Sequence, residues 1–322
     1  MALLGTMYTP SQLWRGLRRG IQRPAFFLQE CNRLYNRRLY RTDFNTEGDD
    51  FMAEDWDNLI LLDACRYDLF DSEIDDDAFP GTLEHRQSRG SHTVEFLQGN
   101  FAGKEFLDTV YVTASPQLYR WSEKIDATFH DVIEVWKRDW NDEHGTVMPE
   151  TMAEYGIEVA EVYPHKRLIL HFMQPHYPFI DAPSLNVGQR LDGADERDIW
   201  GHLRDGDMSV SADRIWQAYR NNLRLTFPSV RALIDGLSGR TVVSSDHGNM
   251  IGERSSPIPI QEWGHPPGTY TDELVTVPWQ VIPASNRREI HSEQPRCRPR
   301  VCGTEEVDGV ARDRLRALGY QE

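Results

Sequence analysis

Leu59 to Asp68 read LILLDACRYD, an unbroken apolar run that stops at Asp63. Apolar residues without polar alternation fit a strand buried on both faces. Short apolar runs recur at Val110 to Val112, Leu168 to Leu170, Thr241 to Val243 and Val275 to Ile282. Helical periodicity lies between them. It is clearest from about Ser211 to Leu237, where Ile215, Tyr219, Leu223, Phe227, Val230, Ile234 and Leu237 fall three or four apart and Pro228 predicts a kink. The run from Pro24 to Tyr40 also has helical spacing, in Phe26, Phe27, Leu34, Tyr35 and Leu39. This alternation predicts an α/β fold, with a mostly parallel central sheet flanked by helices in a single large domain.

Ligands of such sheets sit beyond the carboxyl ends of the strands. The residues that follow each apolar run therefore matter most. Asp63 follows the first. His171 follows Leu168 to Leu170 in LILHFMQPHYPF, with His176 further on. Ser244, Ser245, Asp246 and His247 follow Val242 and Val243 in VVSSDHGNMIGE, and His265 lies in WGHPPG. Asp and His supply oxygen and nitrogen donors for a divalent cation. Gly248 leaves room for a tight turn beside them. Taken alone, SSDHG also suits a helix N-cap with a chance histidine. Joined to Asp63 at its own strand end, it predicts a metal site.

These strings carry a family resemblance. LILLDACRYD resembles the first metal-ligand motif of the sulfatase branch of the alkaline phosphatase superfamily, an apolar strand followed by D-x-x-R-x-D. VVSSDHGNMIGE is similar to its second, S-D-H-G followed by G-E. LHFMQPHYPF resembles its H-x-x-x-P-H-x-P-[YF] segment, VPWQVIPA its V-P-W strand, and RDRLRALGY the tail of many sulfatase-like chains. The matches run in the family's order over roughly residues 57 to 320. The resemblance implies that Asp63, Asp246 and His247 hold one metal. It makes His176 and His265 ligands of a second metal or groups that grip the ester oxygens, and His171 could do either. Arg66 matches the motif's Arg near the site, or forms a salt bridge to Asp68. One or two ions are implied, zinc or manganese rather than calcium, which prefers an all-oxygen set.

The nucleophile is sought at a helix start, where the helix N-terminus and a metal stabilise developing negative charge. Ser88 to Gly99 read SRGSHTVEFLQG. The segment resembles the G-[ST]-x-[ST] of lipoteichoic-acid synthases and phosphoethanolamine transferases. That match points first to Ser91, then to Thr93, then to Ser88. Ser91 also reads as a helix N-cap, with Glu95 one residue beyond the capping-box position. His92 and Lys104, close by, could bind a substrate oxyanion or be solvated surface. The C-x-P-S-R of true sulfatases, whose Cys becomes formylglycine, is absent, and Cys65 reads as a small buried residue. The expected activity is metal-dependent hydrolysis or transfer of a phosphate (or sulfate) ester of a small molecule, glycan or lipid through a hydroxyl nucleophile. The alternatives are a sulfatase without formylglycine and a non-catalytic ligand-binding member of the superfamily.

Composition bounds the rest. The 322 residues carry a net charge of −16, and only four basic residues are lysines: Lys104, Lys124, Lys137 and Lys166. Acid excess with scarce lysine resembles proteins of salt-loving archaea, whose carboxylate surface stays hydrated in salt. It argues against non-specific nucleic-acid binding. No apolar stretch is long enough for a transmembrane helix, and no secretory-signal pattern follows Met1. Residues 1 to 56 read as a helical and irregular lead-in to a catalytic domain over 57 to 322. Within that lead-in, Arg15, Arg18, Arg19 and Arg23 alternate with Trp14, Leu17 and Ile21. This suits a domain-capping helix or an amphipathic helix resting on an anionic surface. A cytoplasmic location is expected, with peripheral membrane contact through this segment as the open alternative. Cys297 and Cys302 could form a local disulfide, although free thiols suit a reducing cytoplasm.

Overall fold

The computed structural model describes residues 24–40, 43–74, 79–187, 198–206, 208–295 and 305–318. Nine strands are assigned: β1 (Asn58–Leu62), β2 (Thr82–Gln87), β3 (Glu105–Thr113), β4 (Thr128–Glu134), β5 (Arg167–Phe172), β6 (Thr241–Ser244), β7 (Met250–Arg254), β8 (Gln261–Gly264) and β9 (Thr276–Ile282). The helices of seven or more residues are α1 (Pro24–Tyr40), α2 (Tyr67–Glu73), α3 (Thr93–Phe101), α4 (Pro149–Val162), α5 (Ile199–Asp205), α6 (Ala212–Gly236) and α7 (Glu305–Ala317).

Seven strands form one sheet in the order β2-β9-β6-β1-β5-β3-β4, and β7 pairs with β8 apart from it. β1 runs parallel to β5 and β6, and β3 runs parallel to β4 and β5. β9 is antiparallel to both β6 and β2. The sheet is thus mostly parallel and flanked by helices, as the sequence predicts.

Every residue of β1 is buried, because alternate side chains enter two different cores. Ile60 and Leu62 pack with Leu168, Leu170 and Val243 and with Met152 of α4 and Leu223 and Leu233 of α6. Leu59 and Leu61 pack with Ile169, Val242 and Trp279, and with Phe96, Leu97 and Phe101 of α3. Each such leucine contributes roughly 1.5–3 kcal/mol by leaving water. Phe51 and Trp56 join the second core. The five apolar runs named above are strands β1, β3, β5, β6 and β9. The edge strands β2 and β4 escape that reading, because TLEHRQ and TFHDVIE are polar and partly exposed. An edge strand has no second neighbour to bury it.

α6 runs from Ala212 to Gly236 with Pro228 inside it, and Ser211 Oγ caps its start by accepting from Arg214 N at 3.3 Å. α1 is helical where expected, but its apolar residues do not all face inward: Phe27 is 59% and Tyr35 52% exposed. Its inner face is polar. Asn32 Nδ2 donates to Ser255 Oγ (3.0 Å) and Ile258 O (2.9 Å), Asn36 Nδ2 to Gly268 O (3.0 Å), and Gln29 Nε2 to Glu262 Oε2 (2.9 Å). Cys31 and Cys65 are free thiols. Cys297, Cys302 and the arginine-rich residues 14–23 lie outside the described residues. Among the described residues, no helix is long and apolar enough to cross a membrane.

Candidate active site

β5, β1 and β6 are neighbours in the sheet, so their carboxyl ends open on one place. His171 is in the last turn of pleat of β5, Asp63 follows β1, and Asp246 and His247 follow β6. All four are fully buried. Asp63, His171 and Asp246 bring one donor atom each to within 4.8 Å of one another. His247 Nε2 is 3.6 Å from Asp63 Oδ1 and 3.4 Å from Asp246 Oδ2, and His171 Nε2 is 3.7 Å from Asp246 Oδ2.

The turn after β1 is held tightly. Ala64 adopts φ 58°, a left-handed conformation that a residue with a Cβ takes only when its surroundings enforce it. Here Ala64 N donates to Asp246 Oδ1 (3.0 Å), and Cys65 N donates to Ser245 Oγ (2.8 Å). Tyr219 of α6 donates its hydroxyl to Ala64 O and accepts from Arg66 N. Gly248 serves by close approach, since a Cβ there would lie 2.0 Å from Glu273 O.

The hydroxyl candidates separate cleanly. Thr93 opens α3, and its Oγ1 lies 3.2 Å from His247 Nε2. Ser91 Oγ lies 3.0 Å from both Glu95 Oε2 and Pro266 O, and its N–H also donates to Glu95 Oε2. Ser88 Oγ donates to Asp246 O and accepts from Gly90 N. The helix begins one residue later than the Ser91 cap reading places it: His92 is the cap, and its Nδ1 accepts from Val94 N. Gly90 is needed where the chain enters, because a Cβ would meet Phe96 N at 2.4 Å.

Further histidines close the site. His176 Nε2 and His265 Nε2 are 2.8 Å apart. The ring of His265 lies 4.8 Å from that of His247 and 5.3 Å from that of His92. The loop that carries His176 hangs on Asn222 of α6, whose Nδ2 donates to Pro175 O, His176 O and Pro178 O and whose Oδ1 accepts from Ile180 N. Nothing in the sequence around Asn222 distinguishes it from a solvent-facing helix residue. Tyr111 lies in the apolar run of β3, but nothing in that run marks its hydroxyl, which is 2.6 Å from His171 Nδ1. Arg66 is committed elsewhere. Its guanidinium pairs with Asp68 (2.6 Å) and Glu253 and lies over the Trp216 ring. Lys104 pairs with Asp50 at 3.0 Å.

The donors suit a divalent cation. His247 Nδ1 and His176 Nδ1 face the carbonyls of Gly248 and Tyr177, which can only accept. Each Nδ1 therefore carries the proton and each Nε2 offers a lone pair. Asp246 Oδ2 and His171 Nε2 are buried without a hydrogen-bond partner among the described residues, which is costly unless something else satisfies them. Tetrahedral coordination at zinc-like bond lengths puts ligand atoms about 3.3 Å apart. Asp63 Oδ1, Asp246 Oδ2 and Thr93 Oγ1 stand 3.6, 3.4 and 3.2 Å from His247 Nε2.

Burial holds the imidazoles of His92, His176, His247 and His265 below their ordinary range. Burial pushes His176 down to about 4 and His92 down to about 3, helped by the neighbouring His247. Burial and His247 lower His265 further. Burial alone would raise Asp246, but His247, His171 and the Ala64 N–H hold its carboxyl below the usual range. Burial lifts the Cys65 thiol well above its ordinary value, so it is no thiolate nucleophile.

A pH effect follows for the metal-chelated protein. A histidine depressed in the fold stabilises it fully above its unfolded pKa, and that stability is lost as pH falls through the folded pKa. His176 should therefore cost on the order of 3 kcal/mol between pH 6.5 and its folded value of about 4. Glu262, raised by burial to about 7, works in the opposite direction over part of this window. Thermal unfolding with and without His176→Asn separates them: the variant should lose less stability on acidification. An unchanged slope would contradict the assignment to His176.

No family model matches the chain, and no curated protein matches it. Solved structures are similar to it at low identity. The zinc complex of the C-terminal periplasmic domain of EcEptC from Escherichia coli is 14% identical, with a TM-score of 0.45 over 76% of this chain and 77% of that one. The corresponding domain of phosphoethanolamine transferase EptC from Campylobacter jejuni is 14% identical, with a TM-score of 0.40 over 70% and 78%. The soluble domain of lipooligosaccharide phosphoethanolamine transferase A from Neisseria meningitidis is 14% identical, with a TM-score of 0.35 over 69% and 75%. A putative sulfatase from Bacteroides fragilis is also similar, at 15% identity and a TM-score of 0.23 over 44% of this chain and 32% of that one.

Proposed function

We propose that the chain is a metal-dependent phosphoester hydrolase or phospho-transferase, with Thr93 as nucleophile and Asp63, Asp246 and His247 as ligands of zinc or manganese. The observation that carries this reading is Thr93 Oγ1 at 3.2 Å from His247 Nε2, beside a buried carboxylate and imidazole cluster. Ser91, the first choice from sequence, donates its hydroxyl away from that cluster.

A cation bound by these ligands would lower the pKa of the Thr93 hydroxyl and offset charge on the phosphoryl oxygens. The residues do the rest. Thr93 Oγ1 attacks phosphorus in line and gives its proton to solvent water, while the bond to the ester alcohol breaks and the alcohol leaves with a proton taken from solvent. The product is a threonine phosphoester. Attack on phosphorus by water, or by an acceptor hydroxyl, then restores Thr93. The N-terminus of α3 favours negative charge at that position. His176 and His265, neutral near pH 7, border the cluster and can bond to the phosphoryl or leaving-group oxygens. Tyr111 orients His171, and Asn222 orients His176. A sulfate ester has the same tetrahedral shape, but a hydroxyl nucleophile lacks formylglycine's easy release of sulfate. Phosphate is therefore favoured.

The test is turnover of p-nitrophenyl phosphate, its diester and p-nitrophenyl sulfate, with zinc or manganese restored after chelation. Metal-dependent release from a phosphate ester supports the reading. Release from sulfate alone would overturn the order of preference.

A further inference from the structure

We infer that α1 is a docking surface for an anionic lipid membrane, engaged through the exposed stripe of Phe27 and Tyr35 and the arginines around it in sequence. Residues eight apart on a helix share a face, and these two rings are among the few large apolar side chains left exposed in the described residues. The opposite face is occupied, since Gln29, Asn32 and Asn36 bind the segment from Ser255 to Gly268. The outward aromatics therefore have no role in holding α1 to the domain.

Charge selects the occupant. Residues 1 to 41 contain eight arginines and a single acid, Glu30, in a chain of net charge −16. An anionic surface attracts a stretch of sequence with that charge and repels the carboxylates that dominate the rest of the chain. A nucleic acid would also attract arginines, but its phosphate backbone offers nothing to Phe27. An interface of headgroups and acyl chains accepts both charge and aromatic rings. Docking stands apart from the proposed activity. Its consequence touches it, because the segment that delivers His265 hangs from the inner face of the same helix.

Co-sedimentation of the full chain with vesicles tests this. Binding is expected to vesicles of phosphatidylcholine with phosphatidylglycerol, to weaken as salt rises, and to be slight with phosphatidylcholine alone. The double variant Phe27→Glu, Tyr35→Glu should bind about ten-fold more weakly or worse. Its melting temperature and any metal-dependent turnover of p-nitrophenyl phosphate should match the parent, since neither side chain reaches the site. A second variant with Arg15, Arg18, Arg19 and Arg23 changed to Gln should lose the preference for phosphatidylglycerol. Failure of the parent to bind, or equal binding by the double variant, would overturn the inference. So would tighter binding to duplex DNA that the aromatic changes leave untouched.

Discussion

Thr93→Ala is expected to lower metal-dependent turnover by about 10³-fold or more, with the fold and the bound metal retained. Thr93 is buried, but alanine leaves the helix start intact, because His92 provides the cap. Thr93→Ser should keep a substantial part of the activity, as it preserves the hydroxyl. Ser91→Ala makes the contrast. It removes bonds to Glu95 and Pro266, at a cost of about 1–2 kcal/mol of stability, and should change turnover far less. The paired readout is kcat against melting temperature. If Ser91→Ala abolished turnover in a folded protein while Thr93→Ala did not, the nucleophile would be the serine, and the cluster would have to rearrange on binding substrate.

Asp246→Asn should remove most of the metal and the activity with it. The substitution keeps the shape and a possible bond from Ala64 N to Oδ1, but it removes the charge that faces His171 and His247. Groups that merely orient a ligand already change metal affinity about 10–100-fold, so loss of a ligating carboxylate should exceed that. Metal content per chain after dialysis, and calorimetric titration with zinc, read the effect directly and do not depend on knowing the substrate. Asp68→Asn is the control. Asp68 pairs with Arg66 outside the cluster, and its loss should leave metal affinity near that of the parent. Full metal occupancy in Asp246→Asn would remove Asp246 from the ligand set and with it the proposed chemistry.

The central strands were legible because their signal is local and strong. A strand buried on both faces must be apolar along its whole length, so β1, β5 and β6 stand out, and the polar residues at their ends stand out against them. β2 and β4 were not legible, since an edge strand can be as polar as a loop. The helix over 24–40 was legible from its spacing, but the direction of its apolar residues was not. Phe27 and Tyr35 point to solvent, while Asn32 and Asn36 are buried, because their amides meet backbone carbonyls of a segment more than two hundred residues away.

What the sequence determined by itself is the α/β layout and the set of residues that stand at the ends of the central strands: Asp63, His171, Asp246 and His247. Strand periodicity places them without any knowledge of distant contacts. What only the tertiary structure decided is which hydroxyl faces that set and how His176 and His265, named by the motif resemblance, are brought together beside it. A helix turns about 100° per residue, so a one-residue difference in where α3 begins decides whether Ser91 or Thr93 points at His247. The bonds at that start are local, with His92 capping the helix and Glu95 accepting from Ser91 N, but Ser91 and His92 compete for the cap and the sequence does not rank them. His176 and His265 are 89 residues apart in the chain, yet their Nε2 atoms lie 2.8 Å from each other. That meeting depends on Asn222 holding one loop and α1 holding the other, two long-range constraints that leave no trace in the sequence around either histidine.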